Sequence, residues 1–172
     1  MTLPPIPPDG RIHYFARDRA AFGFLSHFHP PAIVLDGKLW PTVEHYYQAQ
    51  KSFDPDYRAA IRAARSPGMA KRLAARMPPG GVSAQSWFRK HGQEPRADWH
   101  EIKLDIMRRA DWVKYSTHPE LAARLMATGD AELVEDSPFE PFWGFGADGA
   151  GLNWAGRVVM EVREGLSKGD AR

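Results

Sequence analysis

A carboxylate and an amine seven positions apart, Glu44 and Lys51, stand inside Trp40–Phe53, W-P-T-V-E-H-Y-Y-Q-A-Q-K-S-F. At ~100° per residue, a helix here puts Val43, Tyr46, Tyr47, Ala49 and Phe53 on one arc of roughly 160°, with Gln50 inside it. Glu44 and Lys51 then share one edge, beside Tyr47 and about 10 Å apart along the axis. Long side chains from both can converge on one atom, with Gln48 close by. A carboxylate and an amine at the border of an aromatic wall is a common way to build a site. The same placement also complements the helix dipole, so on spacing alone a solvated face is the more ordinary reading.

The loop Trp143–Gly151 is the second candidate. Gly144, Gly146 and Gly149 have dinucleotide-fingerprint spacing, but no strand is expected before them. Only 23 residues follow Gly149, too few for a βαβ unit with its acidic ribose ligand. Glycines there still allow backbone N–H groups to approach a phosphate or ribose near a helix start; a plain turn is the alternative. Trp143 inside such a loop is less simply explained by packing than a core tryptophan. Arg58, Arg62 and Arg65, followed by Lys71, Arg72 and Arg76, form basic rows that read as solvated faces before they read as a nucleic-acid patch. His27 and His29 make an H-x-H pair with no further ligand at a recognisable spacing, so no metal site is expected. Without cysteine or G-x-S-x-G, no thiol or elbow serine is offered as nucleophile. The remaining chemistry lies in Lys51 and the carboxylates Glu44, Glu135, Asp136, Glu140 and Asp148.

The elements that must position these groups are announced by their ends. Ile12–Phe15 reads as a strand, Phe22–Phe28 as a loop with aromatics anchored inward, and Ala32–Trp40 as a hairpin turning at Asp36-Gly37. Thr42 caps the central helix. Asp54-Pro55 and Ser66-Pro67 open two more, reaching about Arg65 and the break at Pro78-Pro79-Gly80-Gly81. From there to about Arg96 the chain reads as loop. Asp98 with Glu101 forms a capping box for a helix whose inner stripe is Ile102, Ile106, Arg109 or Ala110, and Val113. Thr117 with Glu120 opens the next, ended by Gly129. Ala131–Glu135 is a short strand, and Asn153 caps a last helix to about Leu166. Five to seven helices and few short strands make a helix-rich α+β class, without the alternation that argues a parallel sheet.

With 172 residues, 43% hydrophobic and 26% charged, the chain suits one globular domain, and a net charge of +2 demands no nucleic-acid partner. The expected organisation is a mobile proline-rich lead at 1–10, one domain at 11–166 and a tail at 167–172. The N-terminus lacks the blocks of a signal peptide, and no run approaches membrane-spanning length. A cytoplasmic protein that avoids membranes is the expectation.

Taken in order, G-F-L-S-H-F, then W-P-T-V-E-H-Y-Y-Q-A-Q-K, then D-W, then W-G-F-G-A-D-G-A-G-L-N-W-A-G-R-V-V-M-E-V-R resembles the NADAR (YbiA-like) family over roughly residues 12–164. The resemblance implies a compact, mostly helical single-domain YbiA-like fold with a few short strands or hairpins. It implies an N-glycosidase acting on ribosylated amines, with no metal or redox cofactor. Some members split phosphoribosyl intermediates of riboflavin synthesis; others remove ADP-ribose from guanine bases, reversing ADP-ribosylation. The partner is then a small ribosylamine phosphate, or an ADP-ribosylated guanine in a nucleotide or nucleic acid. By matching position the family's site falls on Glu44, Lys51, Trp99 and Trp143, with an acid just before W-G. That acid, commonly Asp, is Glu140 here, with Asp136 as a possible substitute. Phe22, Gly23, Ser26, Tyr47, Gln48, Gly144, Gly146 and Asn153 complete the implied substrate contacts. The family's S-N-F is Ser26-His27-Phe28 in this chain, so an amide contact is altered.

That chemistry explains a lysine beside a carboxylate. An acid protonates the ribose ring oxygen and opens the sugar to an imine. Lys51 exchanges with the amine to form its own Schiff base, and water ends the cycle. Lys51 must then be neutral part of the time, in a partly desolvated setting. Glu44 is the candidate for proton transfer, and Trp99 or Trp143 would stack the base. Two alternatives remain: an oxocarbenium route, with Glu44 activating water and Lys51 binding phosphate, and a non-catalytic module binding NAD or ADP-ribose.

Overall fold

The computed structural model describes residues 3–15, 21–75 and 86–169. The proline–glycine break at 78–81 and Arg76 of the basic row lie outside them. The chain groups into two compact units. One is Pro30–Ala110; the other joins the residues up to His29 to those from Asp111 onward. No described helix is long and apolar enough to cross a membrane.

The Pro30–Ala110 unit starts with the hairpin β2 (Ile33–Leu35) and β3 (Lys38–Trp40), antiparallel with Ile33 opposite Trp40. Asp36 (φ 53°) and Gly37 (φ 67°) take the two left-handed positions of its tight turn. Helix α1 (Val43–Ala49) begins where Thr42 Oγ1 accepts from the His45 amide at 3.3 Å. All seven of its residues are buried, so it has no solvated face and the polar ones must be partnered inside. His45 shows how. Its Nε2 faces the Ala64 carbonyl at 3.1 Å and must carry the hydrogen; Nδ1 accepts from Thr42 Oγ1 at 2.8 Å.

α1 is shorter than its apolar pattern. Gln50 is its C-cap, Lys51 lies in the turn beyond, and Phe53 is 68% exposed instead of lying on the inner arc. The wheel that paired Lys51 with Glu44 therefore does not hold past Ala49. Helices α2 (Pro55–Arg62) and α3 (Pro67–Leu73) are capped by Asp54 and Ser66 as expected, α2 stopping three residues before Arg65. The stretch expected as loop contains α4 (Trp87–His91), capped by Ser86 and closed by Gly92 at φ 61°. Five residues are too few to show a helical period.

Helix α5 (Trp99–Ser116) runs through the boundary. Its buried positions include Trp99, Met107, Ala110, Asp111 and Lys114, whereas Ile102, Ile106 and Val113 are half-buried and Arg109 is exposed. The expected stripe was rotated because two of the inner residues are charged. Both Asp98 oxygens face Arg96, at 2.5 and 2.7 Å, so its carboxylate serves an ion pair in place of the expected capping box.

In the other unit, β1 (Arg11–Tyr14) pairs in parallel with β4 (Glu132–Glu135), Arg11 opposite Glu132. A parallel pair was not expected; its strands are separated by most of the chain. A 3-10 turn (Gly23–Leu25) buries Phe24 and Leu25 against Ile12, Tyr115, Leu121, Leu133 and Val159. Helix α6 (Pro119–Met126) starts at His118 with no side-chain cap, because the Thr117 hydroxyl donates backward to Val113 O at 2.6 Å. Helix α7 (Trp154–Lys168) lies against β4, where a Cβ on Gly156 would stand 2.0 Å from Leu133 O.

Candidate active site

In the Pro30–Ala110 unit, five expected residues gather at the two ends of α1 and the start of α5. Glu44, in the first turn, is 5% exposed, and the Gln48 amide donates to it at 2.8 Å. The Gln48 carbonyl oxygen is buried without a hydrogen-bond donor among the described residues. Tyr47 and Trp99 meet at 4.9 Å between ring centroids, tilted by 56°. Lys51 Nζ lies 5.6 Å from the Trp99 ring and 6.0 Å from that of Tyr47. The Lys51 carbonyl accepts from the Arg96 amide at 2.8 Å, which ties the lysine to the approach of α5. Arg96 in turn packs its guanidinium over Phe53, 4.2 Å from the ring centre. A half-buried amine against two aromatic faces, in the turn that follows a short helix whose first turn sequesters a carboxylate, can hold and transfer protons or bind an electrophilic or anionic group.

The other expected residues belong to the second unit. Trp143 is half-buried, edge-on to Phe142 at 5.1 Å and to His27 at 6.5 Å. Ser26 is buried and its Oγ accepts from the Phe28 amide; Phe22 and Gly23 belong to the turn before it. The glycine loop is tied to itself. The Gly144, Gly146 and Gly149 amides donate to the carbonyls of Glu140, Ser137 and Gly146. A Cβ at Gly144 would come 2.6 Å from that of Ser137, so this glycine serves close backbone approach. These three N–H groups are engaged inside the loop.

Asn153 occupies the cap position at φ 51° without making a side-chain cap bond. Its amide instead bridges β4, accepting from Glu135 N at 3.0 Å and donating to Leu133 O at 2.8 Å. Asp136 is half-exposed and pairs with His13 at 2.7 Å. Glu140 is half-buried, and its carbonyl accepts from Gly144. Among the described residues of this unit the buried carboxylates are Glu135 and Asp111. Sequence reasoning missed Asp111 and Lys114, both fully buried and one turn apart on α5. The helical spacing Trp99, Met107, Ala110, Lys114 carried that signal, but a lysine is rarely placed inside.

Across residues 14–167 the chain matches the NADAR domain, and it belongs to that family. It is 39% identical over 146 residues to the N-glycosidase YbiA of Escherichia coli (strain K12), covering 85% of this chain and 82% of that protein. It is 40% identical over 154 residues to the N-glycosidase Npun_R5314 of Nostoc punctiforme, covering 88% and 90%. The riboflavin biosynthesis protein VVA0006 of Vibrio vulnificus is 38% identical over 155 residues; the match covers 90% of this chain but only 38% of that longer protein. The NMR structure of Escherichia coli YbiA superposes with a TM-score of 0.74 at 36% identity, over 94% of this chain and 88% of that one. The fold is therefore YbiA-like, helix-rich α+β, and the chain is an enzyme, a hydrolase of N-glycosyl compounds.

Proposed function

We propose that the chain hydrolyses the C1–N bond joining the ribose of a ribose phosphate or of ADP-ribose to an exocyclic amine of a pyrimidine or purine base, through a Schiff base on Lys51. The observation that carries this reading is the Lys51 amine set against the rings of Trp99 and Tyr47, just past a helix whose first turn sequesters Glu44. Glu44 protonates the ring oxygen and the sugar opens to an imine. The Lys51 amine adds to C1, the base leaves with its nitrogen, and water then releases the lysine. Trp99 or Trp143 supplies a flat apolar surface for the base. Riboflavin biosynthesis in the name of one relative favours a ribosylaminopyrimidine phosphate. ADP-ribosylated guanine, whose cleavage would reverse that modification, is the other substrate of this chemistry.

Borohydride added during turnover of either substrate should leave a reduced sugar phosphate or ADP-ribose adduct on Lys51, readable by mass spectrometry. Lys51→Arg should bind substrate and lose nearly all turnover. Near-normal turnover in Lys51→Arg removes the covalent role. One feature favours a second route: an ammonium over two aromatic faces is stabilised as a cation by their quadrupoles. Lys51 would then bind phosphate while Glu44 activates water at an oxocarbenium carbon, and borohydride would trap nothing.

A further inference from the structure

Arg58 and Arg62 share one face of α2, and the chemistry above uses neither. The whole-chain charge of +2 hides an asymmetry: Pro30–Ala110 carries 14 of the 23 basic residues and only 8 of the 21 acidic ones. That is a net +6, against −4 for the rest of the chain. Neither arginine is a plain solvated charge. Arg62 lies 6.0 Å from the Trp40 ring centre, and Arg58 lies 5.7 Å from that of Phe53. Arg96, in the approach to α5, stands 4.2 Å from the same Phe53 ring. Phe53 nevertheless stays 68% exposed, two residues beyond Lys51. A phenylalanine this open contributes little by burial; what it presents to solvent is a flat ring rimmed by positive charge.

The two guanidiniums at Phe53 are held differently. Arg96 is paired with both oxygens of Asp98. Arg58 meets no carboxylate among the described residues: its Nε donates to Ser52 O at 2.7 Å and its Nη2 to Gln50 Oε1 at 3.2 Å. Those acceptors are neutral, so they orient the charge and leave it whole. Arg58 Nη1 has no acceptor among the described residues. Neither has Gln50 Nε2, which is buried in a residue only 6% exposed. The neighbouring acid Asp54 is spent on the Asp56 and Tyr57 amides and on Gln93. An oriented cation, unspent donors and an open ring side by side match one ligand chemistry, a base with its phosphate.

We propose that Phe53, Arg58 and Arg96 form a subsite for single-stranded nucleic acid, in which one unmodified base stacks on the Phe53 ring and a phosphate beside it pairs with Arg58. The Arg96 amide bonds Lys51 O at 2.8 Å and so ties this platform to the lysine. Two residues span at most ~7 Å, so a strand with a base on Phe53 passes close to Lys51. A single strand is the form that fits. Its bases can offer their faces to a ring, whereas those of a duplex are stacked on one another. Stacking reads no base edge, so the subsite is indifferent to sequence. The binding needs no reaction; only its closeness to Lys51 rests on the function proposed above for its meaning.

The test is fluorescence anisotropy of a labelled, unmodified thymidine oligonucleotide of about ten nucleotides, titrated with the full chain at several salt concentrations. Wild type should bind it, with log Kd rising linearly in log salt. Phe53→Ala removes an exposed ring, so its thermal unfolding should match wild type. It should bind about tenfold or more weakly at every salt, with the slope unchanged. Phe53→Trp should keep or gain affinity. Arg58→Gln should weaken binding and lower the slope by about 0.7, one phosphate contact on a single strand. A duplex of the same length should bind more weakly and ignore Phe53→Ala. A wild type that does not bind the strand at low salt overturns the proposal. So does equal affinity in Phe53→Ala, which would make the face a general polyanion surface. No substrate is present, so a chain inert on ribosylamines still gives this readout, and the two readings fail separately.

Discussion

The Gln48 side-chain amide donates to the Glu44 carboxylate at 2.8 Å across one turn of α1, with the residues 3% and 5% exposed. The donor is neutral, so it orients the carboxylate without cancelling its charge. The arrangement leaves the Gln48 carbonyl oxygen buried without a donor among the described residues, which is unfavourable for stability. Gln48→Leu removes both the useful donor and the stranded acceptor. Stability should stay within about 1 kcal/mol while kcat falls about tenfold. Thermal unfolding beside turnover checks this, and the reverse pattern would make the pair a packing device.

Trp143 is expected to report on bound ligand through its fluorescence. ADP-ribose should quench tryptophan fluorescence, and Trp143→Ala should remove most of that response. An intact response and affinity in a folded variant would place Trp143 away from the ligand.

Asn153 ties down β4 by accepting from the Glu135 amide and donating to the Leu133 carbonyl. Asn153→Ala should cost about 2 kcal/mol or more, since two buried hydrogen bonds worth ~0.5–1.5 kcal/mol each are lost and alanine is strained at positive φ. Asn153→Gly separates the two causes, relieving the φ while still losing both bonds. Urea midpoints rank the three chains. Equal stability of Asn153→Gly and wild type would assign the whole effect to φ.

Lys114 makes stability depend on pH with a definite sign. Its folded pKa is depressed to about 8 by burial. Above that value the unfolded chain holds more protons than the folded one, so stability rises with pH from about 8 toward the usual lysine range near ~10.4. His27 works oppositely: its pKa is raised, so its contribution is complete below about 6.5 and is lost as pH climbs through the folded value. Lys114→Met should be less stable throughout and should lack the rise between pH 8 and about 9.5. Denaturant midpoints taken across that window decide it; an unchanged slope would assign the rise to another group.

What the sequence disclosed was what acts over a few residues. Thr42, Asp54 and Ser66 bond amides two or three positions on, and Asp36-Gly37 needs only its own φ values, so helix starts and hairpin were legible. The candidate site was legible where motif and helix coincided: Glu44, Gln48, Tyr47, Lys51 and Trp99 fall in one unit. What was hidden depends on distant partners. Lys114 is buried because carbonyls 90 and 88 positions away accept its protons, and no local pattern announces that. Phe53 looked like core by period, but the helix had already ended at Ala49.

The pairing of β1 with β4 also sets an order of events during synthesis. Arg11 bonds Glu132 across 121 positions, so at ribosomal speeds of ~5–20 residues per second the first strand waits about 6–24 s for its neighbour. The Pro30–Ala110 segment is continuous and is complete well before that moment. Nascent chains stalled just after it should already protect the hairpin and α1 from protease. The edge of β1 stays unpaired until β4 is made, and that is the interval in which a chaperone has something to cover.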